Sequence, residues 1–107
     1  MSVRYLYNSS GEWIAFCKGK YVFDTNGHWI GWLPWDDEDV VDVGGGYLGT
    51  IINSNRFYRF LHRAYRGYPG YPGYPGYPGY PGYPGYAGYS PLPSGAEDID
   101  LEKIRKS

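Results

Sequence analysis

The sequence predicts an all-β fold: a small domain of repeated antiparallel β-hairpins, followed by a Gly-Tyr-Pro low-complexity arm. Three observations lead to this prediction: a turn pattern that recurs three times, strand-forming residues on both sides of every turn, and a break in composition at residue 67. The 107 residues suffice for one small domain. We divide the chain into a hairpin-repeat head over 1–66, an arm over 67–93 and a charged C-terminal segment over 94–107.

One pattern occurs three times in the head. Residues 8–16, 24–32 and 42–50 share Asn or Asp, two further residues, Gly, one residue, an aromatic residue, Ile or Leu, and Ala or Gly. The copies begin 16 and 18 residues apart, since 24 − 8 = 16 and 42 − 24 = 18. An internal repeat at this nearly constant spacing indicates a series of like structural units.

Each copy has the chemistry of a β-hairpin. The Asn or Asp side chain can accept a hydrogen bond from the backbone two residues on, and the Gly three residues later takes a positive φ at little steric cost. β-branched and aromatic residues flank every turn. Lys18-Gly19 supplies a second kind of tight turn between the first two copies.

One position of the repeat has a minimal side chain in every copy. It is occupied by Ala15, Gly31 and Gly49. A missing side chain in a strand indicates the close approach of another backbone or a large ring. The aromatic residue two positions earlier is the expected filler, so that bulky and small residues alternate around the centre. These aromatic residues are Trp13, Trp29 and Tyr47.

A fourth copy is expected near residue 58. Arg56–Phe60 fit its first strand, but no Asp-x-x-Gly turn follows. The same stretch also fits a helix that is capped by Asn55, has its arginines on one face and ends before Gly67. The strand is favoured because it continues the repeat, and residues 61–66 stay open between coil and helix.

The run from Leu6 to Phe60 resembles the four-fold beta-flower domain of bacterial proteins. The resemblance lies in the Asn/Asp-x-x-Gly-x-aromatic-Ile/Leu-Gly units with a Pro-rich tail behind them, and it covers about half of the chain. It implies four β-hairpin units around a pseudo-four-fold axis, and it implies no assigned activity and no catalytic residues. The chain departs from the pattern in its fourth unit and in a long acidic connection over 34–39.

The arm is a strict triplet with Gly first from Gly67 to Ser90, with six Gly-Tyr-Pro units and two units that end in Ala and Ser. Gly at every third residue is the collagen period, but two features argue against a triple helix: Tyr occupies the second position of every triplet, and the run is short. As polyproline II the 24 residues would span about 74 Å, and six Tyr-Pro bonds that can isomerise argue against a lone rigid rod. The uncharged tyrosines favour self-association, and the competing interpretation is a flexible tether.

The candidate interaction residues are aromatic residues of the head, three of its arginines and the eight tyrosines of the arm. They are Trp13, Trp29, Trp32, Trp35, Tyr47, Arg56, Arg59, Arg63, Tyr68, Tyr71, Tyr74, Tyr77, Tyr80, Tyr83, Tyr86 and Tyr89. Aromatic rings pack on one another and on arginine. Arginines interleaved with aromatic residues also suit single-stranded nucleic acid, but the net charge of −1 makes that partner unlikely. Protein–protein contact is favoured.

The sequence is poor in catalytic and metal-binding groups. One Cys and two His exclude an intramolecular disulfide and leave little for a zinc site. His28 is expected to be exposed, and Cys17 is expected to pack as a small residue rather than to act as a low-pKa thiol. Asp36–Asp39 lack the alternation of a calcium loop and predict a solvated acidic loop. We therefore expect no enzymatic activity, no cofactor and no metal.

The C-terminal segment predicts one short helix. Ser94 and Glu97 have the spacing of a capping box, and the following charges run from acidic to basic, which matches the helix dipole. A helix of about ten residues is marginal on its own. The segment is therefore either a docking peptide for a protein partner or a solvated terminus.

These features favour a non-enzymatic structural or assembly protein. No stretch approaches about eighteen consecutive apolar residues, and the N-terminal residues do not lead into a signal-peptide core. The expectation is therefore no membrane association and, by default, a cytoplasmic location. A head of about sixty residues is marginally stable alone, which favours a homo-oligomer whose heads self-associate and whose arms link or pack subunits. The alternative is an adaptor in which the head or C-terminal segment docks a partner and the arm is a tether.

Overall fold

The computed structural model describes residues 3–35, 37–61 and 66–100. Within these residues the chain forms eight β-strands and no helix, and hence no helix long and apolar enough to cross a membrane. The all-β prediction is confirmed, including the strand favoured over a helix in the fourth unit. The strands are β1 (Val3–Tyr7), β2 (Trp13–Lys18), β3 (Tyr21–Asp24), β4 (Trp29–Trp32), β5 (Asp39–Asp42), β6 (Tyr47–Ile52), β7 (Arg56–Phe60) and β8 (Ala96–Asp98).

The sheet closes on itself as a seven-strand barrel with β8 added to it. Each strand from β1 to β7 pairs antiparallel with the next, and β8 pairs antiparallel with β7. An odd number of antiparallel strands leaves the first and the last pointing the same way, so the closing pair is parallel and joins Tyr7 to Arg56. The Tyr7 amide donates to the Asn55 carbonyl oxygen at 2.8 Å beside it.

The three predicted turns share one hydrogen-bond pattern. In each, the Gly amide donates to the main-chain oxygen of the Asn or Asp at 3.0–3.1 Å. The side-chain oxygen of that Asn or Asp accepts from the amide four residues on, at 2.9 Å. The predicted hydrogen bond from the amide two residues on forms at Asp24, which accepts from the Asn26 amide at 2.9 Å. The φ angle is +89° at Gly11, +85° at Gly27 and +95° at Gly45. The sequence repeat is therefore also a structural repeat.

The fourth unit is completed by residues that follow the arm. Tyr58 pairs with Asp98, which takes the register position that Trp13 and Trp29 hold in the first two hairpins. Ile99 follows it, as Ile or Leu follows the aromatic residue in the other units, and its side chain lies in the core. The arm is thus inserted between the two strands of the fourth hairpin.

The helix expected in the C-terminal segment is wrong over residues 94–100, where β8 forms instead. A helix of about ten residues is marginal in isolation. Pairing with β7 and the burial of Ile99 outweigh that weak preference. Residues 101–107, which the same prediction covered, lie outside the described residues.

Asp98 joins the fourth unit to the first. Its carboxylate accepts hydrogen bonds from the amide of Ser9 at 2.8 Å and from the Ser9 hydroxyl at 2.6 Å. Ser9 is buried within the first turn. Because hydrogen bonds to a charged acceptor are stronger than neutral ones, this contact reinforces the closure made by β1 and β7.

Aliphatic side chains and Phe57, rather than the expected Trp13, Trp29 and Tyr47, fill the centre next to the minimal positions. A Cβ added to Gly49 would lie 2.5 Å from Ile99 Cδ1 and 2.8 Å from the Tyr58 carbonyl oxygen. Close approach of a second backbone is therefore confirmed at this position. The expected aromatic fillers are instead only half-buried and lie outside the core. The buried core cluster consists of Leu6, Ala15, Cys17, Val22, Ile30, Val40, Leu48, Ile51, Phe57 and Ile99.

The arm is neither a polyproline II rod nor a collagen strand. Every Gly from 67 to 88 has a φ between +82° and +94°, whereas polyproline II requires a φ near about −75°. The Cα radius of gyration is 13.0 Å, which matches the value of about 13 Å for a compact domain of this length. A rod of about 74 Å would also exceed the longest extent of the molecule, 35 Å. The arm therefore lies against the head.

Two neighbouring glycines of the third turn test the requirement for a positive φ. Gly45 has a φ of +95°, and a Cβ added there would lie 2.7 Å from Cδ1 of Tyr68. We expect Gly45→Ala to lower the free energy of unfolding by about 1–2 kcal/mol from backbone strain, with a further loss from displacing the Tyr68 ring. Gly44→Ala is the control, because its Cβ would meet Asp42 Oδ1 at 3.4 Å, and we expect a change below about 1 kcal/mol. Urea unfolding measures both, and equal losses would contradict this account of the turn.

Candidate functional site

The arm meets the three repeated turns of the head in reverse order, the third turn first. The contacts are Tyr68 with Gly45, Tyr77 with Gly27, and Gly88 with Gly11. At the second and third turns the nearest ring atom lies 2.5–2.7 Å from the position of an added Cβ, and at the first turn an added Cβ would overlap the Gly88 backbone. The missing side chain of each turn Gly therefore leaves the space that the arm occupies.

Each turn Gly and the aromatic residue two positions after it form a recess that we call a notch. Trp13 and Trp29 are the aromatic residues of notch 1 and notch 2, and Tyr47 is that of notch 3. The predicted interaction residues Trp13, Trp29 and Tyr47 thus lie at equivalent places in three units. The notches are Gly11 with Trp13, Gly27 with Trp29, and Gly45 with Tyr47.

The arm contacts successive units of the head at a regular interval along its own sequence. The arm contacts of the tryptophans are Trp29 with Tyr71 and Tyr74, at ring-centroid distances of 5.6 and 5.8 Å, and Trp13 with Tyr80 and Tyr83, at 5.9 and 6.0 Å. From one unit to the next these contacts move by nine residues, since 80 − 71 = 9 and 83 − 74 = 9. Three triplets of the arm therefore pass each unit of the head.

The tryptophan of each notch is held in place by the head itself. The indole Nε1–H donates to a main-chain oxygen two residues on, at 2.7 Å for Trp13 and 2.8 Å for Trp29. A tyrosine packs edge-on against each indole, Tyr5 at 5.8 Å and Tyr21 at 6.1 Å between ring centroids. A satisfied N–H and an edge-to-face neighbour fix the orientation of a ring, so the arm packs on aromatic surfaces that the head has already oriented.

Notch 3 replaces the Tyr–Trp pair by a polar network. The Tyr47 hydroxyl lies 2.7 Å from Thr50 Oγ1, which donates to Asp39 Oδ1 at 2.8 Å. The Arg59 guanidinium lies 5.7 Å from the centroid of the Tyr47 ring and donates to the Tyr47 main-chain oxygen at 3.0 Å. Hydrogen bonds and a cation thus hold this ring where an edge-on tyrosine holds the other two.

The C-terminal end of the arm is anchored through main-chain hydrogen bonds. The Ala87 amide donates to the Gly11 carbonyl oxygen at 3.0 Å, and the Ser90 amide donates to the Ser9 carbonyl oxygen at 2.8 Å. Arg56 donates to the Ala87 carbonyl oxygen at 3.3 Å. Proline has no N–H to donate. The two triplets that end in Ala and Ser instead of Pro are therefore the two whose third residue bonds to the first turn.

Trp32 and Trp35, also predicted as interaction residues, lie in different surroundings. Trp32 is 7% exposed, and its Nε1 has no hydrogen-bond partner among the described residues. The guanidinium carbon of Arg66 lies 4.0 Å from the ring centroid of Trp35. Arg66 also forms ion pairs with Asp37 at 2.6 Å and Asp39 at 3.0 Å. Asp37 and Asp39 therefore bind an arginine of their own chain just before the arm begins. The prediction of a solvated acidic loop is wrong for Asp39, which is buried and begins β5.

In the described strand Arg56–Phe60, the first two aromatic residues of the arginine-rich segment are buried and do not form the exposed platform considered for nucleic acid. Arg56 is 7% exposed and donates to the main-chain oxygen of Asn8 at 2.8 Å. Phe57 and Tyr58 are 0% and 1% exposed, whereas stacking of bases needs accessible ring faces. Arg63 lies outside the described residues.

Cys17 and His28 have the surroundings that the sequence predicts. Cys17 is buried, and burial raises the pKa of its thiol, so the reactive thiolate is disfavoured. The His28 side chain is 67% exposed, and its Nδ1 lies 3.3 Å from Asp24 Oδ2. Over the residues that the structure describes, no group of three or more His, Cys, Asp or Glu is placed to hold a metal ion.

Comparison with known families agrees with this architecture. The family model described as 4-fold beta flower protein matches residues 3–98. The chain belongs to the 4-fold beta flower family. The matched region of this beta flower chain includes the arm and β8, in agreement with a fourth hairpin that β8 completes. Searches of curated proteins and of solved structures found no match.

Sequence reasoning missed several residues that form the site. Tyr5 and Tyr21 support the two notch tryptophans, and they are 16 residues apart, as are Trp13 and Trp29. Their position in the repeat was a usable signal. Ile99 offered no comparable signal, because the arm separates it from the strand that it completes.

The ring contacts of Trp29 with Tyr71 and Tyr74 predict energetic coupling between these residues. Trp29→Leu and the pair Tyr71→Ser with Tyr74→Ser form a double-mutant cycle, measured by urea unfolding. We expect a coupling of about 1–3 kcal/mol, because each aromatic pair contributes about 0.5–1.5 kcal/mol beyond area burial. The control cycle combines Trp29→Leu with Tyr86→Ser and Tyr89→Ser, and its coupling should be below about 0.5 kcal/mol. Equal coupling in the two cycles would show that the arm is not in the described register.

Proposed function

We propose that this beta flower chain is a non-enzymatic assembly protein whose copies associate through the outer face of the arm. The supporting observation is that the eight arm tyrosines remain 57–73% exposed although the arm lies against the head. The arm exposes a tyrosine at every third residue, and large exposed groups of apolar side chains are uncommon on monomers and mark interaction surfaces. We call these tyrosines the tyrosine belt: Tyr68, Tyr71, Tyr74, Tyr77, Tyr80, Tyr83, Tyr86 and Tyr89.

The chemistry of the tyrosine belt suits contact between identical copies. Each phenol has a ring face that can stack and a hydroxyl that both donates and accepts a hydrogen bond, so two belts are complementary to each other. No residue between 67 and 93 is charged, so no like charges are brought together. A single ring pair contributes only about 0.5–1.5 kcal/mol, but eight positions on one surface act together.

The proposal places the contact on the arm rather than on the aromatic residues of the head. Trp13 and Trp29 are already covered by tyrosines of their own chain. The arm and β8 also add to the packed domain, which weakens the argument that a small head needs partners for stability. What supports association is therefore the repeated exposed ring.

The adaptor with a flexible tether receives less support. The hydrogen bonds of Ala87 and Ser90 fix the end of the arm to the first turn. Asp98 is bound to Ser9. A tether would have to give up these contacts before it could move, so we keep assembly as the proposed function.

Sedimentation equilibrium of the full chain tests the proposal. We expect the weight-average mass to rise above 12.2 kDa between about 10 µM and about 1 mM, the range for many weak contacts acting together. Tyr86→Ser with Tyr89→Ser should lower the association constant by about tenfold or more, because two ring pairs are lost. Leu92→Ser, which changes an exposed apolar residue outside the belt, is the control. A mass of 12.2 kDa at every concentration, or an equal loss in the control, would contradict assembly through the belt.

A further inference from the structure

We infer that the head is a receptor for Gly-Tyr-Pro tracts, and that the partner it fits is the tract over 67–90 of a second copy of this chain. This inference concerns the notches under the arm, whereas the proposed function concerns the outer face of the tyrosine belt. It goes beyond that function and holds even if the outer faces of two belts never meet.

Notch 2 has the properties of a binding site. The Tyr77 ring occupies the space beside Gly27, with Cε1 2.5 Å from the position of a Cβ added there. Tyr71 and Tyr74 pack on Trp29, whose indole is fixed by its own hydrogen bond. Aromatic-lined grooves bind proline-rich segments in other proteins, and notch 2 offers an aromatic surface to a proline-rich tract that differs from those ligands in the positive φ of its glycines.

The conformation of the tract defines the class of ligand. Each Gly of the tract has a φ between +82° and +94°, a region that residues other than Gly rarely adopt. Six tyrosines that directly follow a Gly of the tract supply the rings at the notches: Tyr68, Tyr71, Tyr74, Tyr77, Tyr80 and Tyr83. The ligand is therefore a tract with Gly at every third position and an aromatic ring directly after it.

A second copy offers the same ligand as the chain's own arm. The six triplets from Gly67 to Pro84 are identical, so any three of them present the same groups with the same period. The main-chain hydrogen bonds of Ala87 and Ser90 lie beyond these triplets. The tract of a second copy can therefore replace the chain's own tract at notch 2 while that anchor stays in place.

A tract from a second copy has to displace the chain's own tract from a notch, which we call exchange. Attachment to the head gives the chain's own tract an effective concentration in the millimolar range, so a tract from another copy competes with it at high protein concentration or when the rings at one notch are removed. Because each copy has both a tract and several notches, exchange links copies through the inner face of the arm.

The test opens one notch in the full-length protein. A variant with Tyr71→Ser, Tyr74→Ser and Tyr77→Ser loses the rings at notch 2 and keeps those at notch 1. The variant is labelled with nitrogen-15 and titrated with a peptide of three Gly-Tyr-Pro triplets that has lysines at its ends for solubility. The Nε1–H cross-peak of Trp29 is the readout, and that of Trp13 is the internal control.

We expect a saturable shift of the Trp29 cross-peak while the Trp13 cross-peak stays in place. Peptides of the same length built from Ala-Tyr-Pro or Gly-Ser-Pro triplets should bind at least about tenfold more weakly, because the first cannot take the positive φ and the second lacks the ring. Equal binding of the three peptides, or no shift of Trp29 up to millimolar Gly-Tyr-Pro peptide, would overturn the inference.

A second measurement covers the case in which the triple variant does not fold. Labelled wild-type protein is titrated with the same peptide, and shifts of both Trp13 and Trp29 are expected at millimolar peptide because the chain's own tract competes. Unchanged cross-peaks there would overturn the inference.

Replacing the peptide by unlabelled full-length protein tests the second copy as the partner. A shift of Trp29 in the labelled variant supports that partner, and the absence of a shift rejects it. Sedimentation without association together with peptide binding would contradict both the proposed function and the second copy as the partner, and it would leave only the head's ability to bind Gly-Tyr-Pro tracts in place.

Discussion

Glycine at a positive φ lies in each of the three repeated turns of the head and in every triplet of the arm. Gly11, Gly27 and Gly45 take φ angles of +85° to +95°, and the missing side chain at each of them leaves the recess that the arm fills. The arm glycines take angles of +82° to +94°, which direct the chain around the head instead of away from it. An L-residue with a side chain is strained in this region, so both the ring of hairpins and the path of the arm depend on the same backbone requirement.

The nine-residue step of the arm matches the spacing between neighbouring units of the head. Tyr68 lies at the third turn and Tyr77, nine residues on, lies at the second. Eleven further residues bring the arm to Gly88 at the first turn, since 88 − 77 = 11. There the repeat changes from Pro to Ala87 and Ser90, which have the amides needed for hydrogen bonds. The length of the triplet run therefore corresponds to the path from the third unit to the first, and its two irregular triplets mark the end of that path.

The hairpins could be predicted from the sequence because their determinants are local. Asp24 and Gly27 are three residues apart, and the same pair recurs in each unit. The closure of the fourth unit could not be predicted, because Tyr58 and Asp98 are separated by the whole arm. The tryptophans were identified as interaction residues. An aromatic ring can pack on any other aromatic ring, so the sequence does not indicate which tyrosines contact Trp13 and Trp29, and the chain's own arm was not recognised as their partner.

Small-angle X-ray scattering of the full chain, extrapolated to zero concentration, tests most directly whether the arm lies against the head. The Cα radius of gyration is 13.0 Å, and we predict a measured value within about 3 Å of it, as for a compact domain of this length. An arm that projected from the head as a rod of about 74 Å would raise the radius of gyration above about 20 Å. A value in that higher range would contradict the packing of the arm on the notches.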